Sequence, residues 1–359
     1  MSLKTTHMRL PMTLDEVTAE WLESALSIRF PGVRAAAARR DAERAGTSTS
    51  ARFQIDWADR GGHGDLPDSV YVKGGFDPVM RRRVWAALIQ EARFYAELAP
   101  DAPINIPVAY FAGVDEEQKQ GVLILEDMTR RPVRFGHATD YVSPDLAAAI
   151  LEGQARLHAR FWNDPRLAAY RNWGEPQRVY LRYLYRPKHW AEVQQRSYGD
   201  LLRQVLPTPE QCLIWLEQMW AHDDARVPTL LHGDCHGGNL FFEQDGSPGF
   251  LDWQCTFPGA PGHDHAEFLL SSLSVEDRRA HDRNLLGHYR DVLVASGVKD
   301  APSLDSLFLS YRQNIMHMMA SSVMNPYDMQ TQEVTDTTAT RSLHAALDLD
   351  MIGALERGI

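Results

Sequence analysis

The stretch "LLHGDCHGGNLFF", Leu230–Phe242, sets two histidines, an aspartate, a cysteine and three glycines between short apolar runs. It leads into "EQDGSPGFLDWQ", Glu243–Gln254, where a turn-forming Asp-Gly-Ser-Pro-Gly string separates two further apolar pieces. So dense a mixture of polar side chains and glycines in an apolar frame points to chemistry. Three chemistries are open to it: a histidine-rich metal centre, a phosphoester-cleaving loop, and a loop working through Asp234 and Asn239.

A zinc or two-metal centre would use His232, Asp234 and His236, with His263, Asp264 and His265 in reserve. No HExxH helix and no CxxC pair accompanies them, and fourteen histidines make local clusters common. The block "GDCHGG" also resembles the GDxHG element of metallophosphoesterases. That family's GDxxDR and GNHE elements are missing from the chain.

The third reading uses more of the stretch. His232-x-Asp234-x-x-x-x-Asn239 is the spacing of a phosphotransferase catalytic loop. Asp234 is then the base for an attacking hydroxyl, and Asn239 offers a neutral oxygen to Mg²⁺. "NLFFE–QDGSPG–FLDW" reads as strand, turn, strand. The two ends of such a hairpin lie side by side, so Asp252 becomes the second expected Mg²⁺ ligand. His232 and the glycines are scaffold, and His236 is left without a role.

Upstream, one helix carries a misplaced charge. Val84, Leu88, Tyr95 and Leu98 fall within about 80° on a helical wheel, the arc expected to be buried. Glu91 lies in the middle of that arc, whereas Glu97 points away. A buried carboxylate needs a cation, and Lys73 in "SVYVKGG" is the candidate, since alternation places Val70 and Val72 on one strand face and Tyr71 and Lys73 on the other.

The rest of the chain follows from periodicity and punctuation. Thr13 and Glu16 make a capping-box pattern before a first helix. "VRAAAARRD", "ARFQIDW", "SVYVKGG", "IPVAYFAGV" and "GVLILEDM" have strand character, with the long helix of about 78–98 among them. Beyond Asp127 helices dominate: 143–162, 180–184, 192–206, 208–222, 266–273, 275–296, 304–324 and 341–357. "TQEVTDTTATR" reads as a loop and helix start. The expected fold class is α+β and bilobal. Residues 1–127 form a small antiparallel-sheet lobe with one long helix, and 128–359 a larger, mainly helical lobe.

Composition narrows the function classes. A formal net charge of −11 argues against a nucleic-acid partner. Three scattered cysteines rule out a disulfide framework. No apolar run approaches a membrane span and no signal-peptide core opens the chain, so a cytoplasmic protein with no membrane partner is expected.

The motifs together, in order from about Ala45 to Leu270, resemble the aminoglycoside phosphotransferase and choline kinase-like family of the protein-kinase-like fold. "LLHGDCHGGNLFF" with "FLDWQ" matches its catalytic loop and metal-aspartate motif. "EARFYAELAP" is similar to its ion-pair helix, "VYVKGG" to its lysine strand, and "GVLILEDM" to its interlobe hinge. "LEGQARLHARFW" and "GAPGHDHAEFL" resemble two further segments.

The resemblance implies a kinase that uses ATP (GTP is also compatible) and Mg²⁺ to phosphorylate a small-molecule hydroxyl. It implies that Lys73 holds the α- and β-phosphates, that Glu91 orients Lys73, and that Glu126 and Met128 present backbone groups to adenine. Asp264 would brace the catalytic loop and His158 would be a packing histidine. In place of GxGxxG stands "AGTSTSA", so Gly46, Thr47 and Ser48 would cover the phosphates through N–H groups and hydroxyls. "WGEPQRVYLRYLYRPKHW", Trp173–Trp190, carries three tyrosines and three arginines. That suits a neutral, hydrophobic or anionic acceptor better than a polycation, unless the segment is an exposed basic helix face. Two alternatives to the kinase reading are a catalytically silent nucleotide-binding protein of the same fold and a metal-dependent phosphoesterase.

Overall fold

The computed structural model describes residues 8–358, so all but the last residue of the polar opening "MSLKTTHM" lies outside the described residues. The chain divides into two units: one runs to Val133 and takes in Leu251–Cys255, and the other holds Arg134–Phe250 and the chain from Thr256.

In the first unit, α1 (Ala19–Leu26) is followed by β1 (Arg34–Arg44), β2 (Thr49–Asp59) and β3 (Ser69–Gly74). Next come α2 (Pro78–Arg93), β4 (Ala109–Asp115) and β5 (Gln120–Glu126). The strands form one antiparallel sheet in the order β1-β2-β3-β5-β4. The helix start expected at Thr13 is displaced. Thr13 makes no side-chain cap and opens only a 3₁₀ turn, whereas the Thr18 hydroxyl accepts the Trp21 N–H and caps α1. Leu22, Ala25 and Leu26 of α1 pack with Val70, Val72, Val122 and Ile124 in one buried apolar cluster.

α2 lies against the opposite face of the sheet. A Cβ at Gly121 of β5 would sit 2.1 Å from the Leu88 carbonyl oxygen, so helix and strand approach as closely as backbones can. Pro78 and the Asp77 carboxylate, which accepts the Val79 and Met80 N–H groups, start α2. The expected buried stripe exists only beyond Val84, whose φ of −124° and ψ of 20° kink the helix. Leu88, Glu91, Tyr95 and Leu98 are buried, Val84 is half-buried and Glu97 is exposed. The last part of the predicted helix, Phe94–Leu98, is a π-turn, a local insertion often found at functional sites.

The second unit begins with β6 (Arg134–Phe135), α3 (Pro144–Arg160), α4 (Glu175–Leu184), α5 (Pro187–Val193), α6 (Gly199–Val205) and α7 (Pro209–Asp224). There follow β7 (Thr229–Leu231), β8 (Leu240–Phe242), β9 (Pro248–Phe250) and β10 (Phe257–Gly259). The chain ends with α8 (Gly262–Ser272), α9 (Val275–Ala295), α10 (Leu304–Met318), α11 (Gln332–Asp348) and α12 (Met351–Glu356). α3 packs on α9 and α8 on α10. β8 and β9 pair antiparallel, Leu240 opposite Phe250, around the predicted Asp-Gly turn, where Gly246 takes φ +85°.

Several helices of the second unit differ from their sequence expectation. α4 begins at Glu175, five residues before its expected start at Tyr180. The helix predicted over 192–206 is broken into α5 and α6. A Cβ at Gly199 would meet the Gln194 carbonyl oxygen at 2.1 Å, and Tyr198 Oη donates to the Val323 carbonyl at 2.8 Å, so the chain doubles back there. The segment read as a loop and helix start, "TQEVTDTTATR", is helical from Gln332 and belongs to α11, capped by the Thr331 hydroxyl, and the helix predicted over 341–357 stops at Asp348. Arg312 captures the carbonyls of Leu349 and Asp350, and Asp350 adopts φ 48° to start α12. α8 begins at Gly262, four residues before its expected start at Ala266, and a Cβ at Gly262 would sit 2.2 Å from Ser310 Oγ of α10.

Candidate active site

Lys73 sits on the face of β3 that α2 covers. Its Nζ donates to Glu91 Oε1 at 2.7 Å and to Asp252 Oδ1 at 2.9 Å. Glu91 also accepts the backbone N–H of Trp253. Burial opposes the Lys73 charge, but the carboxylates of Asp252 and Glu91 outweigh it and hold the ammonium well above its usual range. Burial pushes Glu91 up, with Lys73 pulling against it. Asp252 adopts φ +60°, a left-handed conformation that aspartate tolerates better than most residues. The next residue, Trp253, is fully buried, and its ring stacks on Phe94 at 4.0 Å and 8°. The π-turn that follows α2 therefore supplies the platform on which the Asp252 segment rests.

The other positions expected to meet nucleotide lie in the same unit. Gly46 is exposed and Thr47 and Ser48 are half-buried in the turn joining β1 to β2. Glu126 ends β5; its N–H donates to the Val108 carbonyl at 2.8 Å, and its carboxylate accepts from Val108 N–H and Arg131, each at 2.8 Å. Met128 opens a 3₁₀ turn capped by Asp127, whose carboxylate is fixed by the Ser69 hydroxyl at 2.5 Å and by Thr129.

In the second unit, the loop after β7 is gripped by consecutive residues of α8. Asp264 Oδ2 accepts the His232 N–H at 2.8 Å, and Oδ1 accepts the Gly233 N–H at 2.9 Å. His263 Nε2 lies 3.3 Å from the Gly233 carbonyl oxygen. The Asp264 carboxyl is fully buried, which works against its charge, yet His158 at 3.2 Å and the nearby His263 and His232 hold it far below the usual carboxylate range. His158 is itself fixed, with Nδ1 at 2.8 Å from Tyr289 Oη. Gly233 takes φ +81°, which an L side chain would resist.

The loop thus delivers Asp234 in a fixed pose. Asn239 Nδ2 donates to the Asp234 carbonyl at 2.8 Å and to its Oδ2 at 3.1 Å. His232 Nδ1 accepts the Asp234 N–H at 3.3 Å. The Asp234 side chain stays 31% exposed, accessible to a reactant. His236 acquires a structural role, because its Nδ1 accepts the Gly238 N–H at 3.0 Å and caps the turn Gly237–Asn239. A Cβ at Gly237 would sit 2.7 Å from the His137 carbonyl oxygen, so the glycine is needed for close passage of that segment.

Among the described residues, no group of three or more His, Cys, Asp or Glu side chains is arranged to hold a metal ion. His263, expected only as a reserve zinc ligand, instead holds the loop through its hydrogen bond to Gly233. Its position beside Asp264 in "GHDH" was the available signal. The arginines of Trp173–Trp190 separate into two kinds. Arg178 reaches Asp224 at 2.5 and 2.8 Å and Arg182 reaches Glu217 at 2.6 and 3.0 Å, so these two tie α4 to α7. Arg186 faces elsewhere, into a pocket that it lines with Arg196 and Tyr327.

Among the described residues, no helix is long and apolar enough to cross a membrane. Structural comparison finds the same α+β, protein-kinase-like architecture in a Ralstonia eutropha protein provisionally described as an aminoglycoside phosphotransferase. That likeness has a TM-score of 0.53 at 14% identity, covering 95% of this chain and 98% of the other. A choline kinase from Streptococcus pneumoniae matches with a TM-score of 0.49 at 14% identity, over 92% of this chain and 98% of its own. An ethanolamine kinase from Plasmodium vivax matches with a TM-score of 0.48 at 12% identity, over 85% and 82%. No match was found among curated proteins. The model of the phosphotransferase enzyme family matches residues 78–296, more than half of the chain and the whole of the Asp234 loop with the Asp264 grip. The chain belongs to that family.

Proposed function

We propose that this protein is an ATP- and Mg²⁺-dependent kinase that transfers the γ-phosphoryl group to a hydroxyl of a small molecule. The observation that carries this reading is the Asp234 carboxylate, accessible at 31% and fixed by Asn239 on a loop whose peptide groups Asp264 and His263 hold. A carboxylate so placed is suited to accept the proton of an alcohol as its oxygen bonds to phosphorus and the bond to the departing nucleoside diphosphate breaks.

The other residues have roles that follow from their chemistry. Lys73, held charged by Glu91 and Asp252, would meet the α- and β-phosphates. Gly46, Thr47 and Ser48 would present N–H and hydroxyl donors to the phosphates, and the backbone near Glu126 and Met128 would meet adenine. The first unit would take the nucleotide and the second the acceptor.

Asn239 and Asp252 have the hard oxygen donors Mg²⁺ prefers. With Asn239 Nδ2 engaged by Asp234, its amide oxygen is the atom that would remain for a cation. Bound there, the ion would offset negative charge on the phosphates. A need for ATP fits a cytoplasmic site of action.

The test is ADP release over a panel of aminoglycosides, macrolides, amino alcohols, sugars and sterol-like alcohols, alongside thermal shift with Mg-ATP. Nucleotide stabilisation with turnover of at least one alcohol supports the reading. Stabilisation without turnover of any alcohol would favour a silent nucleotide-binding protein. Phosphatase activity independent of nucleotide would overturn both.

A further inference from the structure

We infer that a pocket in the second unit binds an anionic group of the acceptor, a carboxylate or phosphate monoester, through Arg186 and Arg196. The inference rests on the phosphotransferase reading and names the acceptor class. The pocket measures about 590 Å³, within the span of roughly 300–1,000 Å³ common for small-molecule sites. Its walls come from α5 with the preceding Arg186, the α5–α6 link, the 325–331 loop and the start of α11.

The arginines carry the argument. Arg178, Arg182 and Arg203, in the same helical region, each have a carboxylate: Asp224, Glu217 and Asp200. Arg186 and Arg196 have none among the described residues. Each guanidinium is instead laid over a tyrosine ring, Arg186 on Tyr183 at 4.2 Å and Arg196 on Tyr327 at 4.0 Å. Arg196 Nη1 donates to the neutral oxygens of Tyr198 at 2.9 Å and Asn325 at 2.7 Å. Stacking and neutral bonds fix the plane of a guanidinium without cancelling its charge, which suits an anion arriving edge-on.

The pocket is also held open by its own frame. Asp336 of α11 accepts the Ser197 hydroxyl at 2.8 Å and the Tyr327 hydroxyl at 2.6 Å, tying the two walls to one carboxylate. Buried His189 donates through Nε2 to the Met324 carbonyl at 2.7 Å. Of the acids that line the pocket, Glu192 lies 3.5 Å from His189 and 4.0 Å from Lys188, and Asp328 is exposed. The same frame reaches the Asp234 loop. The π-turn Met319–Val323 that leads to the pocket continues α10, and His317 of α10 donates to Glu267 of α8 at 2.9 Å, three residues beyond Asp264.

Inorganic phosphate and succinate, titrated calorimetrically into the full chain without nucleotide, test the inference. At least one probe should bind wild type and the Arg182→Gln control alike, and bind Arg186→Gln/Arg196→Gln at least tenfold more weakly. Binding of phosphate alone assigns a phosphate monoester, and binding of succinate alone a carboxylate. Arg196→Lys, which keeps the charge but loses the planar fork, should bind more weakly than wild type and more tightly than the double variant. Should the double variant not fold, Arg186→Gln carries the test, because among the described residues the Arg186 guanidinium donates only to the Tyr183 carbonyl. Failure of both probes to bind, equal binding by the variants, or displacement of the probe by ADP would overturn the inference. Loss of probe binding leaves the phosphotransferase reading standing, since no turnover is measured. Retained probe binding with no ADP release from any alcohol, hydroxy acids and sugar phosphates included, would instead remove that reading.

Discussion

Asp264 accepts the Gly233 N–H at 2.9 Å, from a carboxyl that is fully buried and charged. The contact joins α8 to the residue immediately before Asp234, and Oδ2 of the same carboxylate takes the His232 N–H. The position of Asp234 is thus set by a residue far along the chain, on a different element.

Asp264→Ala should destabilise the protein strongly. Two buried N–H groups lose their acceptor, at about 1–3 kcal/mol each, and His158 loses its anion. Urea unfolding followed by tryptophan fluorescence reads the effect. A midpoint equal to wild type would show that the loop is held by something else.

Asp234→Asn removes the proposed proton acceptor and keeps the shape, because Asn239 can still donate to the Asp234 carbonyl and to a side-chain oxygen at that position. Turnover should fall by about 10²–10⁴-fold, with Mg-ATP affinity within a factor of a few of wild type. Steady-state kinetics paired with nucleotide titration separate the two quantities.

Lys73→Ala leaves the Glu91 carboxylate buried without its ammonium. Loss of one partner of a buried pair costs about 3–5 kcal/mol. Stability of this variant should fall further as pH rises through the raised pKa of Glu91, since a buried carboxyl is tolerated only while protonated. A stability-against-pH curve indistinguishable in shape from wild type would contradict this.

Asp252 combines a carboxylate with φ +60°. Asp252→Asn should cost less thermal stability than Asp252→Ala, because asparagine accepts the left-handed conformation and its amide oxygen can still accept from Lys73, yet it should weaken Mg-nucleotide binding. Asp252→Ala should lose binding and also about 1–2 kcal/mol from backbone strain. Equal melting temperatures for the two variants would remove the strain argument.

Acid should weaken the second unit in a defined window. Burial lowers His263 and His317 from 6.5 to about 4, so both are neutral in the folded protein. Between pH 6.5 and 4 the unfolded chain binds more protons, so their contribution is present above 6.5 and is lost progressively as pH falls towards 4. Each histidine contributes at most about 3 kcal/mol to that loss. His263→Gln, which can still donate to Gly233, should flatten the slope of stability between pH 6.5 and 4 and keep turnover. His263→Phe should flatten the slope and lower kcat more than it raises KM.

Much of the architecture could be read locally. Pro78 marked the start of α2, the Asp-Gly turn marked the β8–β9 hairpin, and alternation in "SVYVKGG" placed Lys73 opposite Val70 and Val72. Each signal lies within one turn of helix or one strand. The errors fell where distant groups intervened. Tyr198 bonds across to Val323 and breaks a predicted helix, Arg312 captures the carbonyls that end α11, and Gly262 starts α8 in close contact with Ser310.

By itself the sequence determined the order of the sheet strands and long helix of the first unit, the residue types and spacing of the Asp234 loop, and the presence of a charge on the buried stripe of α2. The tertiary structure decided which partners those residues meet. Lys73 bonds to Asp252 across 179 positions, Phe94 stacks on Trp253, His263 holds Gly233, and among the described residues Arg186 lacks the carboxylate that Arg178 and Arg182 have. Periodicity and caps act over a few residues and are written in the local sequence. A contact between remote side chains depends on which surfaces pack and on which polar groups burial then forces to find a partner.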